Sequence, residues 1–254
     1  MEETYRKFIT EIIVKAGDIL RDDFVGYRQE PIVDESGIHL AIDHKIEKFI
    51  KVQIENTFPE HVWLGEEEGE NDKDSDWKWI IDPIDGTSNY FCYNPFFCIS
   101  IALVHKTEIV LGAIHAPIMN IFWLAEKNIG VHVNNDLVKM AGEHDLDKIV
   151  IGGRSHAARC KNIKYWQNNK SDRYMKIEMG SAALELAYVA TGRLGAYVTE
   201  GIKDWDVAAG VLMVKENGGV VKNWQGEDWQ FGDDKMIAGR ADLVDDLLKQ
   251  KINQ

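Results

Sequence analysis

The chain has 254 residues and carries 29 Lys and Arg against 42 Asp and Glu, a formal net charge of -13. A chain of this length forms one large domain or two small ones sharing an interface. It buries roughly 70–75% of its unfolded surface and needs no disulfide or metal simply to fold. The acidic balance repels polyphosphate backbones and sets nucleic acid aside as a partner, while a local acidic cluster can still take a small phosphorylated metabolite through divalent cations.

The opening Met1-Glu-Glu-Thr-Tyr-Arg-Lys lacks a basic-then-apolar signal. Residues 3–24 place Tyr5, Phe8, Ile9, Ile12, Ile13, Ala16, Ile19 and Leu20 at helical spacing, which predicts an amphipathic helix. Gln29 to Gly37, with Pro31 and Asp34-Glu35-Ser36-Gly37, reads as a mobile loop. A second helix is predicted from Asp43 to Phe58, ended by Pro59, with Asp43 placed to cap its free N–H groups. His61–Leu64 is a short strand delivering Gly65-Glu66-Glu67. Trp77–Ile81 is a second, buried strand that also ends in acid. Phe96–His105 and Ile109–His115 form a hairpin pattern that Ile121–Glu126 and Gly130–Val133 extend. The apolar run from Phe96 to Val104 is half a membrane span and contains Ser100, so no membrane partner is expected.

A second unit begins near Asp145, giving 1–144 and 145–254 as two packed units of a single domain. Ile149–Gly152 is a strand and Ser155 to Lys170 is weakly helical. Gly180–Thr191 is a buried helix, Leu194–Val198 a strand, and Trp205–Asn217 a helix closed by Gly218-Gly219. Val220-Val221 is a strand stub and Asp242–Lys251 a final amphipathic helix. Cys92, Cys98 and Cys160 make no Cys-x-x-Cys pair, and a soluble protein of a reducing cytoplasm is expected.

The stretch Trp79-Ile80-Ile81-Asp82-Pro83-Ile84-Asp85-Gly86-Thr87 carries the chemistry. A buried strand runs into two carboxylates at the edge where open α/β sheets bind ligands. Carboxylates this close repel unless a cation lies between them, and such oxygen donors suit Mg²⁺. Gly86 lets the backbone approach a ligand, and N–H groups near Thr87 can face an anion. Most Asp-x-x-Asp pairs are solvated turns, and Asp206, one residue after Trp205 at a helix start, has capping as its ordinary role.

The joint occurrence of Gly65-Glu66-Glu67, Asp82-Pro-Ile-Asp85-Gly-Thr and Trp205-Asp206-Val-Ala-Ala-Gly resembles the inositol monophosphatase family. That family belongs to the Mg²⁺-dependent, lithium-sensitive phosphatases related to fructose-1,6-bisphosphatase, and the resemblance covers most of the chain. It implies an α+β or α/β fold, a layered αβαβα sandwich, commonly a homodimer. It implies hydrolysis of a small phosphate monoester, such as an inositol-1-phosphate-like or sugar phosphate, by a metal-activated water. Two or three Mg²⁺ ions are implied, with Mn²⁺ as a substitute. Glu66, Asp82 and the Ile84 carbonyl match the ligands of the first metal; Asp82, Asp85 and Asp206 match those of the second; Glu66 helps with a third. Asp43 and Thr87 match a hydrogen-bonded pair beside the attacking water, which makes Glu66, Thr87 and Asp43 the candidate catalytic residues. Asp85, Gly86 and Thr87 match the phosphate cradle, and Gly180-Ser181-Ala182 the segment that meets the leaving group. Glu67 is expected to support the ligands.

The sequence departs from the family in three places. Leu40 stands where the family usually has Thr, three residues before Asp43, and the 29–37 loop has no Lys. Where inositol-specific members carry an acidic substrate contact, this chain has Thr199. Glu200 replaces it only if the turn before Gly201 shifts the register by one. Two rival readings follow. Haloacid-dehalogenase-type phosphatases use Asp-x-Asp-Gly-Thr with an aspartyl nucleophile, but here the carboxylates are three apart and Trp205-Asp206 has no place in that scheme. A non-catalytic metal- or nucleotide-sensing module of the same fold is the other, motivated by Leu40 and Thr199.

Overall fold

The computed structural model describes residues 2–26, 32–33, 38–140, 149–154 and 174–252. The loop around 29–37 (apart from residues 32–33), the unit boundary near Asp145, the helical reading of Ser155 to Lys170, and Cys160 lie outside the described residues.

The helical spacing near the N-terminus becomes α1 (Glu2–Val25), and the next apolar repeat becomes α2 (Ala41–Thr57). Ile46, Ile50 and Ile54 of α2 are fully buried, as are Ile9, Ile13, Ala16 and Leu20 of α1. Each such isoleucine contributes about 1.5–3 kcal/mol by burial, against a helix-propensity cost of a few tenths, so the apolar stripe decides the helix. Between α1 and α2, β1 (Ile32–Val33) and β2 (Ile38–His39) form a small antiparallel pair.

Next come β3 (Val62–Gly65), β4 (Gly69–Glu70), β5 (Trp77–Asp85) and the short α3 (Thr87–Phe91). They are followed by β6 (Cys98–His105), β7 (Glu108–Ala116), β8 (Ile121–Glu126), β9 (Gly130–Val133) and β10 (Asp136–Val138). These strands make an eight-stranded sheet in the order β10-β9-β8-β7-β6-β5-β3-β4, in which β3 and β5 are parallel. Alternation along β5 and β6 sends Trp79, Ile81, Ile101 and Leu103 to α1 and α2, and Ile80, Ala102 and Val104 to the other face.

The remaining chain gives β11 (Ile149–Arg154), β12 (Tyr174–Ile177), α4 (Ala182–Ala190), β13 (Ala196–Glu200) and α5 (Asp204–Glu216), then β14 (Val220–Lys222), β15 (Lys235–Gly239) and α6 (Ala241–Ile252). The second sheet has the order β12-β11-β13-β15-β14. α4 and α5 fill the space between the two sheets, sharing one apolar cluster with β5–β8 and with Tyr197, Met236 and Ala238. α6 covers the outer face through Leu243, Val244 and Leu247. The layers therefore run αβαβα, as expected.

Two differences matter. β13 ends at Glu200, two residues beyond the expected Val198. β15, a five-residue strand between β13 and β14 of the second sheet, gave too few residues for a period to show.

Candidate active site and metal centre

β3 and β5 pair in parallel with Gly65 opposite Ile81, so Glu66, just past the end of β3, stands beside Asp82 within β5. Asp82 pairs with Ser100 and Asp85 with Cys98, three steps on β5 against two on β6. In a regular strand, residues three apart point to opposite faces; the extra residue turns both aspartates to one side. Asp206, in the first turn of α5, is fixed by the Lys203 N–H, which donates to its Oδ2 at 2.8 Å. One oxygen from each of Asp82, Asp85 and Asp206 lies within 4.8 Å of the others. Two stretches of chain, β5 and the start of α5, are joined there, and the trio can hold a metal ion.

Electrostatics show the strain of this grouping. Burial, then the charges of Glu66, Asp85, Asp206 and Asp43, push the Asp82 carboxyl well above the usual carboxylate range. Glu66 keeps solvent access at the rim. Crowding by protein and the nearby Asp206, Glu67, Asp43 and Asp85 still push it up to about 8. Asp43 is buried and also pushed up to about 8, first by desolvation, against the pull of the Leu40 N–H. Asp82 Oδ1 and Asp43 Oδ1 are buried with no hydrogen-bond partner. Hard anionic oxygens left unsatisfied in this way fit a divalent cation.

A pH dependence follows. These carboxyls have ordinary values of 3.8 and 4.5 and are raised in the fold. Their contribution therefore favours the folded state below those values and is lost as the pH climbs through about 8. We expect the metal-free protein to lose thermal stability between about pH 5 and about pH 8, and Mg²⁺ to restore more of it at the upper end. Calorimetric titration in buffers of different ionisation enthalpy should show protons released as Mg²⁺ binds. A Tm gain from Mg²⁺ that is the same at both pH values, with no proton release, would contradict this.

The Glu66 loop is held from below by a residue that hydrophobic periodicity passes over. Glu47 of α2 is fully buried; its two oxygens accept the Glu67 N–H and the Glu68 N–H at 2.9 Å each. Lys51, one turn on, donates to Glu47 and lies 3.8 Å from the centre of the Trp63 ring. A Cβ on Gly65 would come within 2.4 Å of the Glu47 carboxyl carbon, so Gly65 makes room for this anchor. Glu67 pairs with His44 at 3.3 Å.

Gly86 follows Asp85 with φ of 100°, in the left-handed region, and a Cβ there would lie 3.1 Å from the Phe96 carbonyl. Glycine meets both demands. Thr87 opens α3, and its hydroxyl donates to the Ile84 carbonyl at 3.0 Å. Across the cleft, Ser181 caps α4; its hydroxyl donates to Asp85 Oδ2 at 2.6 Å, and the Ala183 N–H reaches the same oxygen at 2.6 Å.

A family model described as the inositol monophosphatase family matches residues 1–254. The chain belongs to the inositol monophosphatase family. It is 38% identical to the Nus factor SuhB of Xylella fastidiosa, over 94% of this chain and 92% of that one. It is 31% identical to the fructose-1,6-bisphosphatase/inositol-1-monophosphatase of Aquifex aeolicus, over 97% and 96%. An IMPase structure from Thermotoga maritima superposes with a TM-score of 0.88 at 30% identity, covering 100% of this chain and 98% of the other.

Of the expected site residues, Asp82, Asp85 and Asp206 converge, and two expectations need correction. Asp43 and Thr87 do not bond to each other in this structure. Asp43 Oδ2 accepts the Leu40 N–H at 2.8 Å, the capping role read for it, while Thr87 turns to Ile84. Glu200 does not face the site. Because β13 runs through Glu200 instead of turning before it, alternation fixes both faces. Tyr197 joins the core between the sheets, Val198 joins the outer core, and Glu200, on the side of Val198, pairs with Lys235 at 2.9 Å. Thr199 takes the inner side and is buried with its hydroxyl unpartnered. The register shift that Glu200 needed is thus ruled out by a strand two residues longer.

Two further polar residues escaped the motif reading. Asn89, two positions after Thr87, donates to the Phe96 and Met179 carbonyls at 2.8 Å each. Glu185, fully buried on α4, is raised to about 7 by desolvation, against the pull of the Met179 and Gly180 N–H groups. A carboxylate within an apolar helix was the available signal for Glu185. Among the described residues, no helix is long and apolar enough to cross a membrane.

Proposed function

We propose that this chain hydrolyses a small phosphate monoester with Mg²⁺ held by Glu66, Asp82, the Ile84 carbonyl, Asp85 and Asp206. The observation that carries the reading is the meeting of Asp82, Asp85 and Asp206 oxygens within 4.8 Å, with Asp82 Oδ1 buried and unpartnered. When bound, the cations supply charge neutralisation for the phosphate, an acidified water and stabilisation of the leaving oxygen.

The protein's own share is positioning. The Gly86-Thr87 backbone at the start of α3 cradles the phosphate. Thr87 keeps its hydroxyl beside the Ile84 carbonyl, where a lone pair can accept a hydrogen bond from the water. Asp43, whose Oδ1 is buried and unpartnered, receives the water's proton only through a Thr87 hydroxyl that has left the Ile84 carbonyl and turned to it, since the two do not bond here. Gly180-Ser181-Ala182 meets the leaving group, with Ser181 tied directly to Asp85. A cytoplasmic homodimer, free of nucleic acid, belongs to the same proposal; the net charge of -13 supports the last part.

Strict inositol selectivity is not part of it. Discrimination among polyols needs a buried group bonded to a specific hydroxyl, and Thr199 lacks the charge that strengthens such a bond. The name of the Aquifex aeolicus relative joins two substrates, which agrees with a broad site. Measuring kcat/KM for inositol phosphate, fructose bisphosphate, glycerol phosphate and a nucleotide should give values of comparable size. A preference above about a hundredfold for inositol phosphate would refute this breadth. No release from any ester, with Mg²⁺ bound, would favour the binding-module reading, with which the name Nus factor on the Xylella fastidiosa relative accords.

A further inference from the structure

Met179, Gly180 and Ser181 form no regular element, yet side chains from three elements hold them. The Met179 N–H donates to Glu185 Oε1 at 3.1 Å and the Gly180 N–H to the same oxygen at 3.2 Å. The Met179 carbonyl accepts from Asn89 Nδ2 at 2.8 Å, and the Ser181 hydroxyl donates to Asp85. Gly180 has φ of 82°, and a Cβ on it would lie 3.0 Å from Asn89 Nδ2. The partners are equally constrained. Asn89 uses its other amide hydrogen on the Phe96 carbonyl, and its oxygen accepts from Asn94 at 2.8 Å. Glu185 is fully buried, and a Cβ on Gly152 of β11 would come within 2.4 Å of its Oε2, so the neighbouring sheet leaves room for it.

We infer that Asn89 and Glu185 are positioning residues that clamp the Met179–Ser181 segment from opposite sides, fixing the distance between the phosphate-holding turn and the surface that meets the leaving alcohol. This rests on the proposed reading of the site. A backbone stretch with a left-handed glycine is otherwise soft, and tying the Met179 and Gly180 N–H groups and the Met179 carbonyl removes that freedom. Asn89 stands on α3 with Thr87, so the segment moves in register with the residue proposed to place the water. The clamp therefore serves substrates whose leaving group must be oriented and helped. It matters little for an ester whose leaving group departs unaided.

The test compares glycerol phosphate, an alkyl ester, with p-nitrophenyl phosphate, an activated one, on full-length protein with saturating Mg²⁺. Glu185→Ala is expected to lower kcat/KM for glycerol phosphate about 10–100-fold, the scale of an ångström-sized misplacement, and that for p-nitrophenyl phosphate by less than about threefold. Glu185→Gln keeps an accepting oxygen and should fall between wild type and Glu185→Ala. Asn89→Ala, which releases the carbonyl instead, should show the same split, and it carries the test if Glu185→Ala fails to fold. Equal losses on both esters, or a glutamine variant as impaired as the alanine one, overturn the inference while leaving the phosphatase reading intact. Wild-type protein that hydrolyses neither ester overturns both.

Discussion

Asp206→Asn and Asp85→Asn should each lower turnover by more than about 100-fold, since even the partners that merely orient a metal ligand are worth 10–100-fold. Both changes should leave a folded chain. Asparagine keeps an oxygen that can accept the Lys203 N–H at position 206 and the Ala183 N–H at position 85, so the local bonds survive. What changes is charge. Asp206 and Asp85 each raise the Asp82 and Glu66 carboxyls, so their neutralisation relieves repulsion in the metal-free protein. The expected signature is an unchanged or higher Tm without metal, joined to a lost Tm gain on adding Mg²⁺. Thermal melts with and without Mg²⁺, beside phosphate-release rates, check it. Near-normal turnover in either variant would remove that residue from the metal site.

Thr87→Ala has the second largest expected effect, a fall in kcat of roughly 10²–10⁴-fold, the range for a positioned proton-transfer group. KM should move less, because the Gly86 backbone and the carboxylate cluster are untouched. The structure sharpens this prediction. The Thr87 hydroxyl already spends its hydrogen on the Ile84 carbonyl, so its remaining role toward water is to accept. Thr87→Ser should then retain most activity and Thr87→Val should not. A Thr87→Ala enzyme that mainly loses affinity would assign Thr87 to substrate binding and the proton to another group.

Much of this site could be read along the chain because its ligands announce themselves locally. Asp82 and Asp85 follow an apolar run into a Pro-Gly turn, and Asp206 sits where a helix begins. The layered fold was legible for a similar reason: α1, α2, α4 and α5 repeat apolar residues over several turns, and β5 to β7 are long. The residues that hold the ligands in place were not legible. Glu47 lies between Ile46 and the polar face of α2, and only the folded sheet brings the Glu67 and Glu68 N–H groups to it. Glu185 and Asn89 meet Met179 across 6 and 90 residues of chain. Glu200 was misplaced because five residues of β13 carry too little pattern to fix a strand end, and one residue of error exchanges the two faces of a strand.

The central claim is that the carboxylate cluster is a metal site used for phosphate-ester hydrolysis. Phosphate release from glycerol phosphate, measured while Mg²⁺ is removed by chelation and then titrated back, tests it most directly. The account predicts release that vanishes in chelator, returns with Mg²⁺, and fails to return in Asp206→Asn. A full rate in chelator, or an Asp206→Asn variant that Mg²⁺ restores to the wild-type rate, would contradict it.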